Sequence, residues 1–318
     1  MEIKEINPYE HVLESQQFDK EFLKKLFDLT KHMKQNEDAV SHELNRKIVT
    51  LLFYQPSTRT RLSFETAANK LGARVQMTEN AQEFSSAAKG ETLHDTIKTV
   101  NGYSDFIVIR HKDNDSSEVA ANASTVPVIN AGSGTGQHPT QALLDIYTIH
   151  EKFNKLENLE IAFIGDLARG RTVNSLVYLL SKFKGNKFYF VAPENSRIKQ
   201  GIKDHLSEHK IEFQETENLN DTLKKADIVY MTRVQKEYFD DMAEYEKAKG
   251  KYKISKDKIN LMKKDSILMH PLPRVDEISI DVDDDPRAIY FKQAKNGLYV
   301  RMALLKMLND FHRSKKAN

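Results

Sequence analysis

Four groups of residues in this chain combine side chains that hold anions or polarise carbonyl groups. Ser57-Thr58-Arg59-Thr60-Arg61 joins hydroxyls and guanidinium groups at what reads as a helix start. With Ser57 as N-cap, the N–H groups of Thr58, Arg59 and Thr60 have no partner inside the helix, and the dipole adds positive charge there. That combination suits a phosphate; an ordinary serine-capped helix with surface arginines fits the same residues equally well. It is not a P-loop, because the glycines and the Gly-Lys-Ser/Thr ending are missing. His138-Pro139-Thr140-Gln141 follows a glycine-rich stretch, Gly132-Ser133-Gly134-Thr135-Gly136. Pro139 fits a first helical position and puts His138 at the cap, where the dipole disfavours an imidazolium. A neutral ring there can donate to a carbonyl oxygen; a purely structural capping histidine is the commoner alternative. Arg110 and Arg233 close predicted strands, and Arg171 opens the segment after another. With Arg59 they point to a ligand carrying several negative charges, since the guanidinium fork matches carboxylate and phosphate. His270-Pro271-Leu272-Pro273-Arg274 ends the last predicted strand. Its two prolines stiffen the chain and leave backbone carbonyls able to accept from an amide-bearing substrate; a stiff inter-domain turn is the other reading.

Other chemistries find less support. Gly165-Asp166 and Gly170-Arg171-Thr172 lie in a strand-to-helix turn, but their spacing does not give G-x-G-x-x-G, so a dinucleotide is weakly indicated. The chain has no cysteine, which removes disulfides, thiolate metal sites and a cysteine nucleophile and gives no reason to look outside a reducing compartment. No His-Glu-x-x-His spacing occurs, so no metal site is expected.

The elements that must carry these residues alternate. Strands are predicted over 48–54, 73–77, 106–110 and 126–130, with helices over 19–34, 57–71, 92–103 and 139–153. The 57–71 helix shows apolar residues at Phe64, Ala67, Ala68 and Leu71 and stops at Gly72. A second series has strands over 159–164, 187–192, 211–214, 228–231 and 266–269, and the last helix is predicted over 297–311. Alternation of this kind implies parallel sheets with helices on their faces. At 318 residues the chain exceeds the usual size of one core. The expected fold class is therefore α/β: two domains, each a parallel sheet flanked by helices, linked by long helices. Residues 240–264 form the most polar interior stretch, a solvated loop by default and a lid by its position between strand ends. A net charge of +2 argues against a nucleic-acid partner. The charged N-terminus and the lack of an apolar run near the ~20 residues that span a bilayer lead to an expectation of a cytoplasmic protein without membrane contact.

In this order the motifs resemble the aspartate/ornithine carbamoyltransferase family, over about residues 8–311. Lys89-Gly90-Glu91-Thr92, Met231-Thr232-Arg233-Val234-Gln235-Lys236-Glu237 and His270-Pro271-Leu272-Pro273-Arg274-Val275-Asp276-Glu277 are similar to its aspartate branch. The resemblance implies transfer of a carbamoyl group from carbamoyl phosphate to L-aspartate in de novo pyrimidine biosynthesis, with no cofactor. It implies that Ser57, Thr58, Arg59, Thr60, Arg110, His138, Gln141 and the backbone of Leu272 and Pro273 hold carbamoyl phosphate. Lys89, Arg171, Arg233 and Gln235 would serve aspartate, with Arg59, Thr60, Lys89, Arg110 and His138 acting in the chemistry. Ser85 and Lys89 would reach into a neighbouring subunit's site, which implies a homotrimer; a regulatory chain or a pathway-enzyme partner is left open. The implied domains are a carbamoyl phosphate domain, 1–139 completed by a helix at about 296–318, and an aspartate domain, 140–295. Where the family commonly has Glu and Arg this chain has Gln55 and Tyr238, so a domain-closure ion pair is expected to be missing. Members coupled to regulatory chains often have Lys-Tyr where this chain has Ala168-Arg169. An ornithine-type carbamoyltransferase and a non-catalytic carbamoyl phosphate-binding subunit are the rival readings.

Overall fold

Parallel strands covered on both faces are nearly continuous in apolar residues, and the computed structural model, which describes residues 6–84, 86–233 and 252–317, shows where that holds. The chain divides into two compact units, residues 1–147 with 295–318 and residues 148–294. In the first unit the elements run α1 (Lys20–Gln35), β1 (Ile48–Phe53), α2 (Thr58–Lys70), β2 (Arg74–Glu79), α3 (Ala81–Phe84), α4 (Leu93–Val100), β3 (Phe106–His111), α5 (Ser116–Ala123), β4 (Val128–Ser133) and α6 (Pro139–Phe153). The four strands pair in parallel in the order β2-β1-β3-β4. Central β1 and β3 are almost wholly buried, whereas edge strand β2 alternates between exposed and half-buried positions. Leu52, Ile107, Ile109 and Val128 pack with Ile97 of α4 and Ala120 of α5 on one face.

The second unit continues with β5 (Glu160–Ile164), α7 (Arg171–Leu180), β6 (Lys187–Val191), α8 (Gln200–Glu208), β7 (Glu212–Thr216), α9 (Leu219–Lys225), β8 (Ile228–Met231), α10 (Lys256–Ile259), β9 (Ile267–Met269) and the start of α11 (Tyr290–Ala317). Its five strands are parallel in the order β7-β6-β5-β8-β9. Ala162, Ile164, Val229 and Met231 pack with Tyr252 and Tyr290 in its core. The chain passes between the units inside α6 and again inside α11.

Most predicted elements appear within a few residues of their expected ends, and the differences have physical causes. The α2 helix ends as its sequence suggests: the Gly72 N–H donates to Asn69 O and the Ala73 N–H to Ala68 O, a Schellman pair that needs the left-handed φ of +82° at Gly72. β4 is displaced toward its C-terminus relative to the predicted 126–130, because pairing with β3 runs into the glycine-rich stretch, with a register shift that brings Ser133 opposite His111. α5 was not expected; it buries only small side chains, Ser116, Ser117, Ala120 and Ala123, which leave little apolar signal. α11 begins at Tyr290, seven residues before the expected Gly297. Gly297 lies inside the helix, where a Cβ would come within 2.5 Å of Arg301 Nη1 and 2.9 Å of Leu144 Cδ2. It marks a close approach to α6 and not a helix end.

Candidate active site

Both sheets reverse their strand order at one place. In the first unit the chain moves from β1 outward to β2 and then returns to the other side of β1 to lay down β3; in the second it moves from β5 to β6 and β7 and returns beside β5 with β8. Ligands of open parallel sheets bind beyond the carboxyl ends of the strands at such switch points. Ser57 to Thr60 and Arg110 lie at the ends of β1 and β3, and Arg171 and Arg233 come after β5 and β8.

At the first switch point, Ser57 to Thr60 follow β1, and Arg110 lies near the end of β3 opposite Phe53. The Ser57 backbone takes the extended N-cap conformation, yet its hydroxyl makes no capping bond. The expected serine cap is therefore a backbone cap only, and the side chain is not committed to the helix amides. Thr60 is buried. Arg59 is exposed by surface area, while surrounding atoms displace enough water that desolvation lowers its guanidinium pKa; it stays a cation at any working pH. Arg61 instead faces β2, with Nη1 3.1 Å from Met77 Sδ and Nη2 3.3 Å from Glu79 Oε2. Arg110 Nη1 donates to Ala131 O at 3.2 Å, which aligns its guanidinium along the end of β4. Beside it, burial lowers the pKa of His111, whose Nδ1 accepts from the Asp113 N–H.

The turn after β4 closes on itself and on β3: the Ser133 N–H donates to Gln137 O, and the Gly134 N–H to His111 O. A Cβ at Gly134 would lie 2.1 Å from Asn114 Oδ1 and 2.8 Å from Lys112 O, so only glycine fits. Pro139 then heads α6, and the N–H groups of Gln141 and Ala142 donate to His138 O. His138 is buried, with Nδ1 3.5 Å from Thr140 Oγ1. Gln141 Nε2 donates to the buried Asp145 Oδ1 at 2.9 Å, which leaves its Oε1 as the acceptor.

At the second switch point Arg171 is the first residue of α7, after β5, and Arg233 follows β8. Gly165 explains how the two strand ends come so close. Its φ is +116°, and a Cβ there would meet Thr232 O at 2.3 Å and Thr232 Oγ1 at 2.6 Å. Thr232 Oγ1 and its N–H both donate to Ile164 O. Asp166, wholly buried, has its pKa raised by desolvation despite Arg169, and its Oδ1 accepts the Arg169 N–H, shaping the turn into α7. Leu272 and Pro273 follow β9 in the same unit, joined by a cis peptide bond.

Lys89 is exposed at the end of a short 3-10 turn, Ser86–Lys89. Ser85, Gln235, Tyr238 and residues 240–251 of the polar 240–264 stretch lie outside the described residues. Among the described residues no group of three or more His, Cys, Asp or Glu could hold a metal ion, and no helix is long and apolar enough to cross a membrane. Sequence reasoning passed over Asp145, although its spacing of four from Gln141 in a helix was a usable signal. It also assigned nothing to Glu277, which meets His270 across a proline-rich turn that has no periodicity.

Each half of the chain matches a known family model. Residues 10–151 match the family model described as the aspartate/ornithine carbamoyltransferase carbamoyl-P binding domain, and residues 157–308 match its Asp/Orn binding domain. The chain is 54% identical over 300 residues to a chloroplastic aspartate carbamoyltransferase of Arabidopsis thaliana, covering 93% of this chain and 77% of that protein. It is similar to the catalytic subunit of M. jannaschii aspartate transcarbamoylase, with a TM-score of 0.90 and 46% identity over 96% of this chain and 99% of that one. The Trypanosoma cruzi aspartate transcarbamoylase in complex with carbamoyl phosphate and aspartate gives a TM-score of 0.87 at 38% identity, over 94% of this chain and 95% of that one. With both halves matched and identity this high over nearly all of its length, the chain belongs to the aspartate/ornithine carbamoyltransferase family.

Proposed function

We propose that this chain transfers the carbamoyl group of carbamoyl phosphate to the amine of L-aspartate, giving N-carbamoyl-L-aspartate and phosphate. The observation that carries this reading is the pair Arg171 and Arg233, which leave the two strands flanking the second switch point. Two guanidinium groups suit a dicarboxylate. They would repel the side-chain cation of ornithine.

In this reading Ser57, Thr58, Arg59 and Thr60 hold the phosphate group of carbamoyl phosphate. Thr60, Arg110 and His138 draw charge onto the carbonyl oxygen, while Gln141 and the backbone of Leu272 and Pro273 accept from the carbamoyl amide. Arg171, Arg233, Gln235 and Lys89 hold aspartate, so that its uncharged amine meets the carbonyl carbon in a fixed geometry. The new C–N bond forms as negative charge builds on the carbonyl oxygen, where preformed donors stabilise it. The C–O bond to phosphate then breaks, Arg59 and Lys89 offset the charge on the leaving group, and the amine proton departs with the phosphate. Ser85 and Lys89 act in a neighbouring subunit's site, which makes a homotrimer the smallest active form. We place the protein in the cytoplasm.

Incubating the purified chain with carbamoyl phosphate and either L-aspartate or L-ornithine tests the assignment. A ureido product and phosphate should appear with aspartate and not with ornithine. Product with ornithine alone, or none with either, would overturn it.

A further inference from the structure

The turn that leaves β9 closes on itself through one histidine. His270 Nε2 lies 2.8 Å from Glu277 Oε1, with side chains only 1% and 6% exposed. The Leu272 N–H donates to His270 Nδ1 at 2.7 Å. A backbone N–H can only donate, so Nδ1 must accept, and the ring proton must sit on Nε2, where it is given to Glu277. The other Glu277 oxygen accepts from the N–H groups of Val275 and Asp276, each at 3.1 Å. Burial pushes the Glu277 carboxyl up, but the hydrogen bond from His270 and the backbone donors outweigh burial and lower the pKa. Near neutral pH the group is a carboxylate, able only to accept.

This small network surrounds an unusual backbone. Leu272 has a φ of +56°, a left-handed conformation that leucine rarely adopts and that persists where its surroundings over-determine it. Pro273 already restricts the ψ of the residue before it. Anchoring the Leu272 N–H on His270 removes the remaining freedom and so sets the direction of the Leu272 carbonyl. The start of the turn is held by the His270 N–H on Gln293 Oε1 at 2.9 Å, and its far side by Arg274 Nη2 on Asp283 Oδ2 at 2.6 Å.

We propose that His270 and Glu277 are positioning residues that aim the Leu272 carbonyl at the amide of carbamoyl phosphate. This rests on the functional reading above, which gives that carbonyl to the carbamoyl group. It has a consequence that general support of the fold would not have. Inorganic phosphate lacks an amide, so its binding should not depend on the pair.

The test is calorimetry of the intact chain with carbamoyl phosphate and, separately, with inorganic phosphate. Glu277→Gln brings an NH₂ group into a place surrounded by three donors, and His270→Gln removes the acceptor for the Leu272 N–H. Each should weaken carbamoyl phosphate binding about tenfold, the upper range for one such hydrogen bond, and leave phosphate within about twofold. His270→Asn keeps an oxygen near the place of Nδ1 and should lose only about threefold. Unchanged carbamoyl phosphate binding, or equal weakening of both ligands, would overturn the proposal. Should the variants not fold, ring ¹⁵N spectra of the wild-type protein decide: a His270 proton on Nε2 supports it and a proton on Nδ1 overturns it. An inactive wild type would refute the functional reading itself, whereas an active wild type with indifferent variants refutes only this positioning role.

Discussion

Two arginines two residues apart have unlike surroundings. Arg61 is tied to β2 through Met77 and Glu79, whereas Arg59, at an exposed helix start, has no carboxylate partner among the described residues. Removing the Arg59 side chain opens no core cavity, so Arg59→Ala should fold normally. It should nevertheless lower kcat/KM by on the order of 10²–10³-fold, the usual loss for one preorganised transition-state donor. Circular dichroism with steady-state kinetics checks both halves, and near-normal turnover would remove Arg59 from the site. Arg233→Ala belongs to the other set. A dicarboxylate deprived of a bidentate partner loses ~2–4 kcal/mol, so the KM for aspartate should rise roughly 30- to 1000-fold. Carbamoyl phosphate affinity without aspartate should hardly move. Its collapse in calorimetry would mean that the two arginine sets have been exchanged.

At the scale of elements, the second switch point depends on how nearly β5 and β8 can touch. Gly165 has no room for a Cβ beside Thr232, and its φ of +116° excludes other residues independently. Gly165→Ala should therefore destabilise by at least ~2 kcal/mol, from overpacking and backbone strain together. The melting temperature should fall by roughly 5 °C or more. Because Thr232 immediately precedes Arg233, aspartate use should suffer beyond the loss of folded protein. Gly201, inside α8, offers the contrast, since a Cβ there meets nothing within 4 Å. Gly201→Ala should raise stability by ~0.5–1 kcal/mol through helix propensity. A melt in which both substitutions behave alike would refute the steric account of Gly165.

At the scale of the molecule, the second unit is a continuous stretch of chain and the first is not. The first is completed by residues 295–318, whose Val300, Met302, Leu304 and Leu305 are fully buried. The proposed assembly adds a further level, with Lys89 serving a neighbour while His138 serves its own chain. Lys89→Ala and His138→Ala should each give a folded, nearly inactive oligomer. Mixed under subunit exchange, the two should regain activity, because some sites then combine an intact His138 from one chain with an intact Lys89 from the next. If each site were built within one chain, every site in the mixture would carry a defect. Mixed oligomers, verified by mass spectrometry but without activity, would end the shared-site model.

Local physics made much of this legible in the sequence. The apolar runs of β1, β3, β5 and β8, the amphipathic face of α2 and its glycine stop, and Pro139 at the head of α6 depend on neighbours a few residues apart. Spacing alone reveals such relations. Resemblance over the whole chain added the identity of the ligands, which no single motif carried. The tertiary structure decided what depends on distant partners. Strand order brought the segment after β1 beside Arg110 of β3, and set β5, which leads to Arg171, beside β8, which leads to Arg233. Close approach made Gly297 part of a helix interior instead of its start. The tautomer of His270 followed only once Leu272 and Glu277 were seen on opposite sides of its ring. A hydrogen bond is fixed by angles and tenths of an ångström, and a one-dimensional pattern of residue types does not contain those quantities.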